Sequence, residues 1–379
     1  MRIRFGDLKV SEESKKHLED VVRTNFVSGG PKVKQLENDW GKLFGYSYNI
    51  AMCSGTAADM AACMTLYDIK KENGPIKPGD EIIAPALAFA AVGNSIRAAG
   101  FNPVFVDVDR ETMGINSERI EEKINSRTRA IMVVHTMGKP CDMDKIKKIS
   151  EKYNLKIIED CCEAHGGKYK DNFIGTFGDL ATFSFYVAHI VSCGDGGMVS
   201  TNNKEILDIL NSVKYHGRKA GSLYFDHLRY GLNFRMNDLT ASIGIPEIGR
   251  FWEIFNKRKD NLCYLTEKTK DLEKFAYFIK EEPHEIVSPH AFSIILKDSK
   301  LDYSRLYSFL ESKEIQCKRN FGSMPTQHKA FEYLGHKIGE FPEAEYVGNN
   351  GLHFGVHQYL VKEDLDYASE ILHDYFDKI

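Results

Sequence analysis

The sequence predicts an α/β fold: a mostly parallel sheet sandwiched by helices, followed by a smaller α+β unit. Short apolar runs alternate with amphipathic stretches as far as Gly244, the pattern of strand–helix repeats. After Gly244 that alternation stops. The length, 379 residues, exceeds what a single hydrophobic core serves. Two units are therefore expected, a large one over 1–245 and a smaller one over 246–379.

The elements follow in order. Residues 11–24 read as a helix that starts on Ser11-Glu12-Glu13, and 32–43 as a second amphipathic stretch. A short apolar strand at 49–53 leads into Ser54-Gly55-Thr56 and a helix at 57–66. Strands at 81–84, 103–108, 130–135, 156–159, 180–186 and 197–201 alternate with helices at 90–99, 118–124 and 142–153. Beyond them come one long helix at 246–272, a strand at 291–296, a helix at 303–313, a strand at 352–356 and a closing helix at 363–376. The stretches 281–288 and 322–339 are too irregular to assign.

Composition narrows the function classes. Hydrophobic residues make up 42% and charged residues 27%, the balance of a globular enzyme. The formal charge of −4, from 50 basic and 54 acidic residues, gives no electrostatic case for nucleic acid or a membrane surface. Residues 1–10 lack the apolar core of a secretion signal, and a cytoplasmic location is expected. Eight cysteines occur without a CxxC pair, so neither a disulfide framework nor a metal site is expected.

Three features fall where strands end, the edge at which open α/β sheets place ligands. Ser54-Gly55-Thr56 at a helix start suits a phosphate, and equally a plain helix cap. Asp160 closes the apolar run Ile157-Ile158-Glu159. A carboxylate there needs a partner, either a protonated pyridine nitrogen or a cap or salt bridge. The run from Gly175 to Gly197 carries Ser184, then His189, then a glycine-rich turn. A lone histidine serves structure as readily as acid–base chemistry.

Together these features resemble the DegT/DnrJ/EryC1/StrS family of nucleotide-sugar aminotransferases, over nearly the whole chain. The resemblance runs through Asn25-Phe26-Val27-Ser28-Gly29-Gly30, Ser54-Gly55-Thr56 and Pro103-Val104-Phe105-Val106-Asp107-Val108-Asp109. It continues in Gly138-Lys139-Pro140-Cys141-Asp142-Met143, Gly231-Leu232-Asn233-Phe234-Arg235-Met236 and Asn349-Asn350-Gly351. It implies the fold-type I aminotransferase architecture and pyridoxal 5′-phosphate or pyridoxamine 5′-phosphate as cofactor. By the resemblance, Gly55, Thr56, Ala57 and Ser184 hold the cofactor phosphate. Phe89 stacks on the ring, Asp160 pairs with its nitrogen, and Glu163, where the family often has glutamine, lies near its hydroxyl. Asn233 reaches the neighbouring subunit's cofactor phosphate, which implies a homodimer. Ser28, Gly29 and Gly30 bound a sugar pocket, and Arg218 and Arg235 hold a nucleotide diphosphate.

One departure decides the expected activity. The family's cofactor-bonding lysine lies in a Phe-Ser-Phe-x-x-x-Lys context; this chain reads Phe183-Ser184-Phe185-Tyr186-Val187-Ala188-His189. An imidazole cannot make the lysine's covalent bond, yet it moves protons near neutral pH. The histidine and the segment Glu159-Asp160-Cys161-Cys162-Glu163-Ala164 are similar to a 3-dehydratase subgroup, the GDP-4-keto-6-deoxymannose 3-dehydratase type. Val187 stands where that subgroup has proline. Its CDP-sugar members carry a cysteine-rich iron–sulfur insert, but residues 217–233 here contain no cysteine. The implied activity is C3 deoxygenation of a nucleotide-linked 4-keto-6-deoxy sugar in deoxysugar or O-antigen-type biosynthesis. His189 would be the catalytic base, glutamate the amine donor, and no iron–sulfur cluster would take part. Two rivals stand beside it: a sugar aminotransferase without a covalent lysine, and a non-catalytic sugar-nucleotide or cofactor sensor. The sequence specifies neither the nucleotide nor the sugar, and leaves an external electron donor open.

Overall fold

In the computed structural model, residues 1–69, 75–223, 225–298 and 301–378 are described. Two helices open the chain, α1 (Glu12–Thr24) and α2 (Pro31–Phe44). Strand β1 (Tyr48–Met52) then feeds α3 (Gly55–Thr65). Next come β2 (Glu81–Pro85), α4 (Ala91–Ala98), β3 (Asn102–Val106), β4 (Thr128–Val134), α5 (Met143–Tyr153) and β5 (Lys156–Asp160). Two short strands, β6 (Lys168–Tyr169) and β7 (Asn172–Phe173), precede β8 (Leu180–Ser184), β9 (Gly197–Thr201) and α6 (Lys204–Val213). Helices α7 (Asp238–Gly249) and α8 (Phe251–Lys268) lead to β10 (Ala276–Tyr277), β11 (Glu285–Ile286) and β12 (Ala291–Leu296). The chain closes with α9 (Tyr303–Ser312), β13 (Cys317–Arg319), α10 (Met324–Gln327), α11 (Pro342–Asn350), β14 (Gly351–Gly355) and α12 (Lys362–Phe376).

Among the described residues the main sheet has seven strands in the order β1-β9-β8-β5-β4-β2-β3. Strand β9 runs antiparallel to both its neighbours, and the other pairings are parallel. Both faces are covered, which explains the near-continuous apolar runs. Ile82, Ala84, Met132, Ile158, Leu180 and Val199 join one core with the alanine-rich face of α3. Their neighbours in sequence, Ile83, Ile131, Val133, Ile157, Ala181 and Met198, join the opposite core with Trp40 and Phe251. This period of two is the pleat expressed in packing. Each fully buried aliphatic side chain contributes about 1.5–3 kcal/mol.

A second sheet, β10-β12-β14-β13, is antiparallel and carries its own core of Phe292, Ile294, Leu352 and Phe354 with Leu306, Leu310 and Leu372. The expected division at 245/246 falls inside α7. We propose that the two units follow the two large sheets, with the chain start belonging to the second. Ile3 supports this, since it bridges to Ile315 and lies in the second sheet's core.

The structure revises several elements. The helix expected over 246–272 is two helices, α7 and α8, divided at Arg250 (φ −102, ψ 11). Pro246 sits inside α7, where its ring removes one N–H donor; the helix ends three residues later, at Gly249. The start at Asp238 escapes an apolar-periodicity search because it is signalled by polar Asn237, whose side chain caps Thr240. The helix expected at 118–124 is two 3₁₀ turns, Ser117–Arg119 and Glu121–Lys123. Helices α6 and α11 were not anticipated.

Asp238 ties these pieces together. It is 1% exposed, and its carboxylate accepts from the N–H groups of Gly30 (2.8 Å), Lys32 (3.1 Å) and Val33 (3.0 Å), which caps α2 from another helix. Replacing Asp238 with Ala should lower stability by about 1–3 kcal/mol, the cost of a lost cap and orphaned donors. A Tm unchanged in thermal unfolding would contradict that role.

Candidate active site

The carboxyl ends of β1, β8 and β5 lie along one edge of the sheet, with the start of β9 between those of β1 and β8, and the site is built on them. At the end of β1, Ser54 is extended, and its hydroxyl accepts from the Ala57 N–H at 3.1 Å. Its carbonyl accepts from Ala58 at 3.0 Å. A helix cannot satisfy its first N–H groups from within, so those of Gly55 and Thr56 point out of the helix start. Glycine at 55 is a matter of space: a Cβ there would lie 2.6 Å from the Ser184 Cβ and 2.9 Å from its Oγ. A Cβ at Gly197 would likewise run into the Ser54 carbonyl. The fold thus brings Ser184 onto the Ser54-Gly55 turn. The cradle combines a helix N-terminus with a hydroxyl, the donor set of an anion site. Thr56 is exposed and Ala57 buried beside it.

Residues 233–235 run along this turn. Arg235 bridges antiparallel to Met52, and the Cys53 N–H donates to the Phe234 carbonyl at 2.7 Å. Asn233 and Arg235 are exposed, with the Arg235 Nε donating to the Asn233 Oδ1 at 3.0 Å. Arg235 and Arg218 both lie against Tyr215, at 4.2 and 5.6 Å from its ring centre. Tyr215 is a shared platform that the sequence gave no reason to single out. Ser28, Gly29 and Gly30 abut the same segment, since a Cβ at Gly29 would come within 2.9 Å of the Met236 carbonyl. Phe89, after β2, is 64% exposed, so an aromatic face stands free of the core.

At the end of β5 stand two adjacent carboxylates with different fates. Glu159 accepts from the N–H groups of Gly175, Phe177 and Gly178 and pairs with the His135 Nε2 at 3.2 Å. His135 Nδ1 in turn accepts from the Cys141 N–H. That cluster spends its donors inside the protein and is structural. Asp160 accepts from the Cys162 N–H at 2.9 Å, and burial raises its pKa. Asp59 of α3, 1% exposed, has one carboxylate oxygen within 4.8 Å of Asp160. It accepts from the Thr182 hydroxyl at 2.6 Å. Burial, then the charge of Asp160, drives Asp59 well above the usual carboxylate range. Burial thus disfavours charge on both acids, and more strongly on Asp59. The sequence does carry a trace of Asp59, an acid inside the alanine-rich run Gly55 to Leu66.

His189 lies in the loop after β8. Its backbone N–H donates to the Tyr186 carbonyl at 3.0 Å. Its Nδ1 is buried and has no hydrogen-bond partner among the described residues. Three rings face it: His290 at 5.3 Å, His165 at 5.8 Å and Tyr186 at 6.2 Å between centres. Burial, and then the charge of Arg258, lower the His189 pKa to about 3, so the imidazole is neutral. His290 Nε2 stands 3.4 Å from Glu163 Oε1, and Glu163 Oε2 accepts from the Met137 N–H at 2.7 Å. Burial raises the Glu163 carboxyl to about 8, so it too is uncharged near neutrality. His290 was missed in the sequence because it lies just before β12, where it reads as the edge of an apolar strand.

Glu163 yields a pH signature. Unfolding returns it from about 8 to the ordinary 4.5, so burial costs stability increasingly as pH rises across that window. Replacing Glu163 with Gln should therefore stabilise the protein relative to wild type by an amount that grows from pH 5 to pH 8. Thermal unfolding in a pH series measures this, and a difference that stays flat would sink it.

Comparison with known proteins identifies the family. The family model for the DegT/DnrJ/EryC1/StrS aminotransferase family matches residues 9–373. An uncharacterized protein of Methanocaldococcus jannaschii is 32% identical, covering 94% of this chain and 93% of its own. GDP-perosamine synthase of Escherichia coli O157:H7 is 29% identical, covering 96% of each chain. GDP-4-keto-6-deoxy-D-mannose 3-dehydratase of Escherichia coli O55:H7 is also 29% identical, covering 94% of this chain and 96% of its own. A solved GDP-4-keto-6-deoxymannose-3-dehydratase with a trapped PLP-glutamate geminal diamine superposes with a TM-score of 0.88 at 27% identity, covering 98% of this chain and 100% of that one. The chain belongs to the DegT/DnrJ/EryC1/StrS aminotransferase family, whose members here include both sugar dehydratases and aminating enzymes.

Proposed function

We propose that the chain is a pyridoxal/pyridoxamine phosphate-dependent 3-dehydratase of a nucleotide-linked 4-keto-6-deoxy sugar, with glutamate as amine donor. The observation that carries the reading is His189: a neutral imidazole with an unpartnered Nδ1, in the sequence context where the family has its lysine. The 3-dehydratase relative and the glutamate adduct in its solved structure support it.

The residues present fit the cofactor. The helix start at Gly55, Thr56 and Ala57, with Ser184 packed on it, takes the phosphate. Asp160, a buried carboxyl with Asp59 beside it, would take a ring cation. Phe89 offers a stacking face, and Glu163 stands near the ring. When bound, the pyridoxamine form supplies a primary amine for the sugar's C4 ketone and a ring that accepts electrons as the C3–oxygen bond breaks. His189 would move the proton at the carbon attached to the ring and would protonate the departing C3 hydroxyl. Because His189 cannot bond the cofactor covalently, the amine form stays free to take the sugar. Arg218 and Arg235, grouped on Tyr215, hold the diphosphate, and Ser28, Gly29 and Gly30 border the sugar.

A sugar aminotransferase acting without a covalent lysine is the second reading, and the GDP-perosamine synthase relative favours it. The products separate the two. With glutamate and a panel of GDP-, CDP- and dTDP-4-keto-6-deoxy sugars, mass spectrometry should detect a 3-deoxy sugar; an amino sugar as sole product would move the assignment to the second reading. Replacing His189 with Asn should leave fold and cofactor binding in place and lower deoxygenation by about 10²–10⁴-fold. Borohydride should fix no cofactor to the wild type and should fix it to the His189→Lys variant. An Asn variant that turns over at the wild-type rate would remove His189 from the chemistry.

We further propose a homodimer that completes the site through Asn233. Leu223, Phe225, Leu228 and Tyr230 are 94, 81, 58 and 68% exposed, an apolar surface next to Asn233 that water does not favour. Sedimentation should show a dimer. Replacing Phe225 and Leu228 with Asp should yield monomers with weakened cofactor binding; a wild-type monomer with full activity in dilute solution would overturn the claim.

A further inference from the structure

A buried cation packs behind the His189 loop. Arg258, on α8, is 1% exposed. Its Nη2 donates to the Ala188 carbonyl at 2.9 Å and to the His290 carbonyl at 3.0 Å. One turn on, Asn261 Nδ2 donates to the carbonyls of Val356 (3.3 Å) and His357 (3.0 Å). One face of α8 thus pins three chain segments at once: the loop bearing His189, the entry to β12 and the exit from β14. Among the described residues no carboxylate lies within ion-pair distance of Arg258, and its Nε has no partner. A core tie needs only donors for two carbonyls. A permanent charge is a costly way to supply them, and here it stands among imidazoles.

We propose that Arg258 is a positioning residue that fixes the His189 loop against His290 and sets a buried positive charge behind that loop, so that His189 meets the substrate as a base. The inference rests on the reading of His189 as the proton-transfer group. Among the described residues, four groups stand around the His189 loop. Tyr186 comes from its own loop, His165 from the segment after β5, His290 from the entry to β12, and Arg258 from α8. Glu163 reaches it only through His290, and His353 of β14 stands behind His290 at 6.4 Å. Of these, Arg258 alone is charged near neutrality. Burial lowers its own pKa to about 10, which leaves it protonated; burial first, and its charge in addition, lowers His189, His165, His290 and His357.

The test follows ring protonation by NMR in the protein with ring-labelled histidine, with the His189→Asn variant assigning the signal. In the wild type the His189 ring should stay neutral down to about pH 5, well below the ordinary histidine midpoint. Replacing Arg258 with Gln, which retains a donor and loses the charge, should raise the His189 midpoint by about one unit or more. Replacing it with Lys should hold the midpoint near the wild-type value. Equal midpoints in Gln and Lys variants would reduce Arg258 to a structural tie. If the Gln variant does not fold, the wild type decides alone: a His189 ring titrating near 6.5 overturns the proposal. The titration does not depend on turnover. A His189→Asn enzyme that remains active would refute the base assignment while leaving the electrostatic claim intact.

Discussion

A parallel sheet covered on both faces leaves polar side chains only one place to stand, the strand ends, and the site follows from that constraint. Within the strands Ile157, Ile158 and their neighbours are sealed in apolar layers. At the end of β5 the chain presents Glu159 and Asp160, which point to opposite sides because the pleat alternates. Glu159 meets three backbone N–H groups and a histidine, a set that uses up its acceptor capacity. Asp160 meets one N–H and a neighbouring acid. A buried carboxylate without a cation is costly. The geometry makes Asp160 the group with unmet demand and Glu159 the one that holds the strand end in place.

The alternation that reveals the large sheet was legible because both faces are buried and the strands are apolar throughout. The site was legible where chemistry and chain position coincide. Ser54-Gly55 opens a helix, Asp160 closes a strand, and His189 replaces a recognisable lysine. What escaped was made by contacts between distant segments. Arg258 sits in Lys257-Arg258-Lys259, which reads as a solvated basic face; only the packing of α8 buries the middle residue while Lys257 stays exposed. Asp59 reads as a stray acid until β5 and β8 bring Asp160 and Thr182 beside it. The break between α7 and α8 was hidden for a local reason, since Pro246 sits within apolar residues that continue the helical pattern on both sides.

The two halves of the site obey opposite electrostatic rules. At the β5 end, two buried acids stand together, and the environment suits a cation. At the His189 end, one guanidinium stands among four imidazoles, and the environment disfavours a further positive charge. A cofactor that carries a ring cation at one end and exchanges a proton at the other would meet both conditions. Helix α3 serves the first through Ser54, Gly55 and Asp59, and α8 serves the second through Arg258. The distinction is set by which helix covers which strand end, so the topology of the sheet fixes the polarity of the site.

That polarity bears on the exchange of lysine for histidine. A lysine at position 189 would place its amine beside the buried Arg258, with no carboxylate in ion-pair distance of that cation. Burial and like charge both favour the neutral amine, the form that attacks a carbonyl. The same field acting on an imidazole favours the neutral ring, which accepts a proton and makes no lasting bond to an aldehyde. A single substitution can therefore change the chemistry available at this position without any change in the field around it. On the proposed reading the surrounding groups favour an uncharged base, and the residue at 189 would decide whether that base also holds the cofactor.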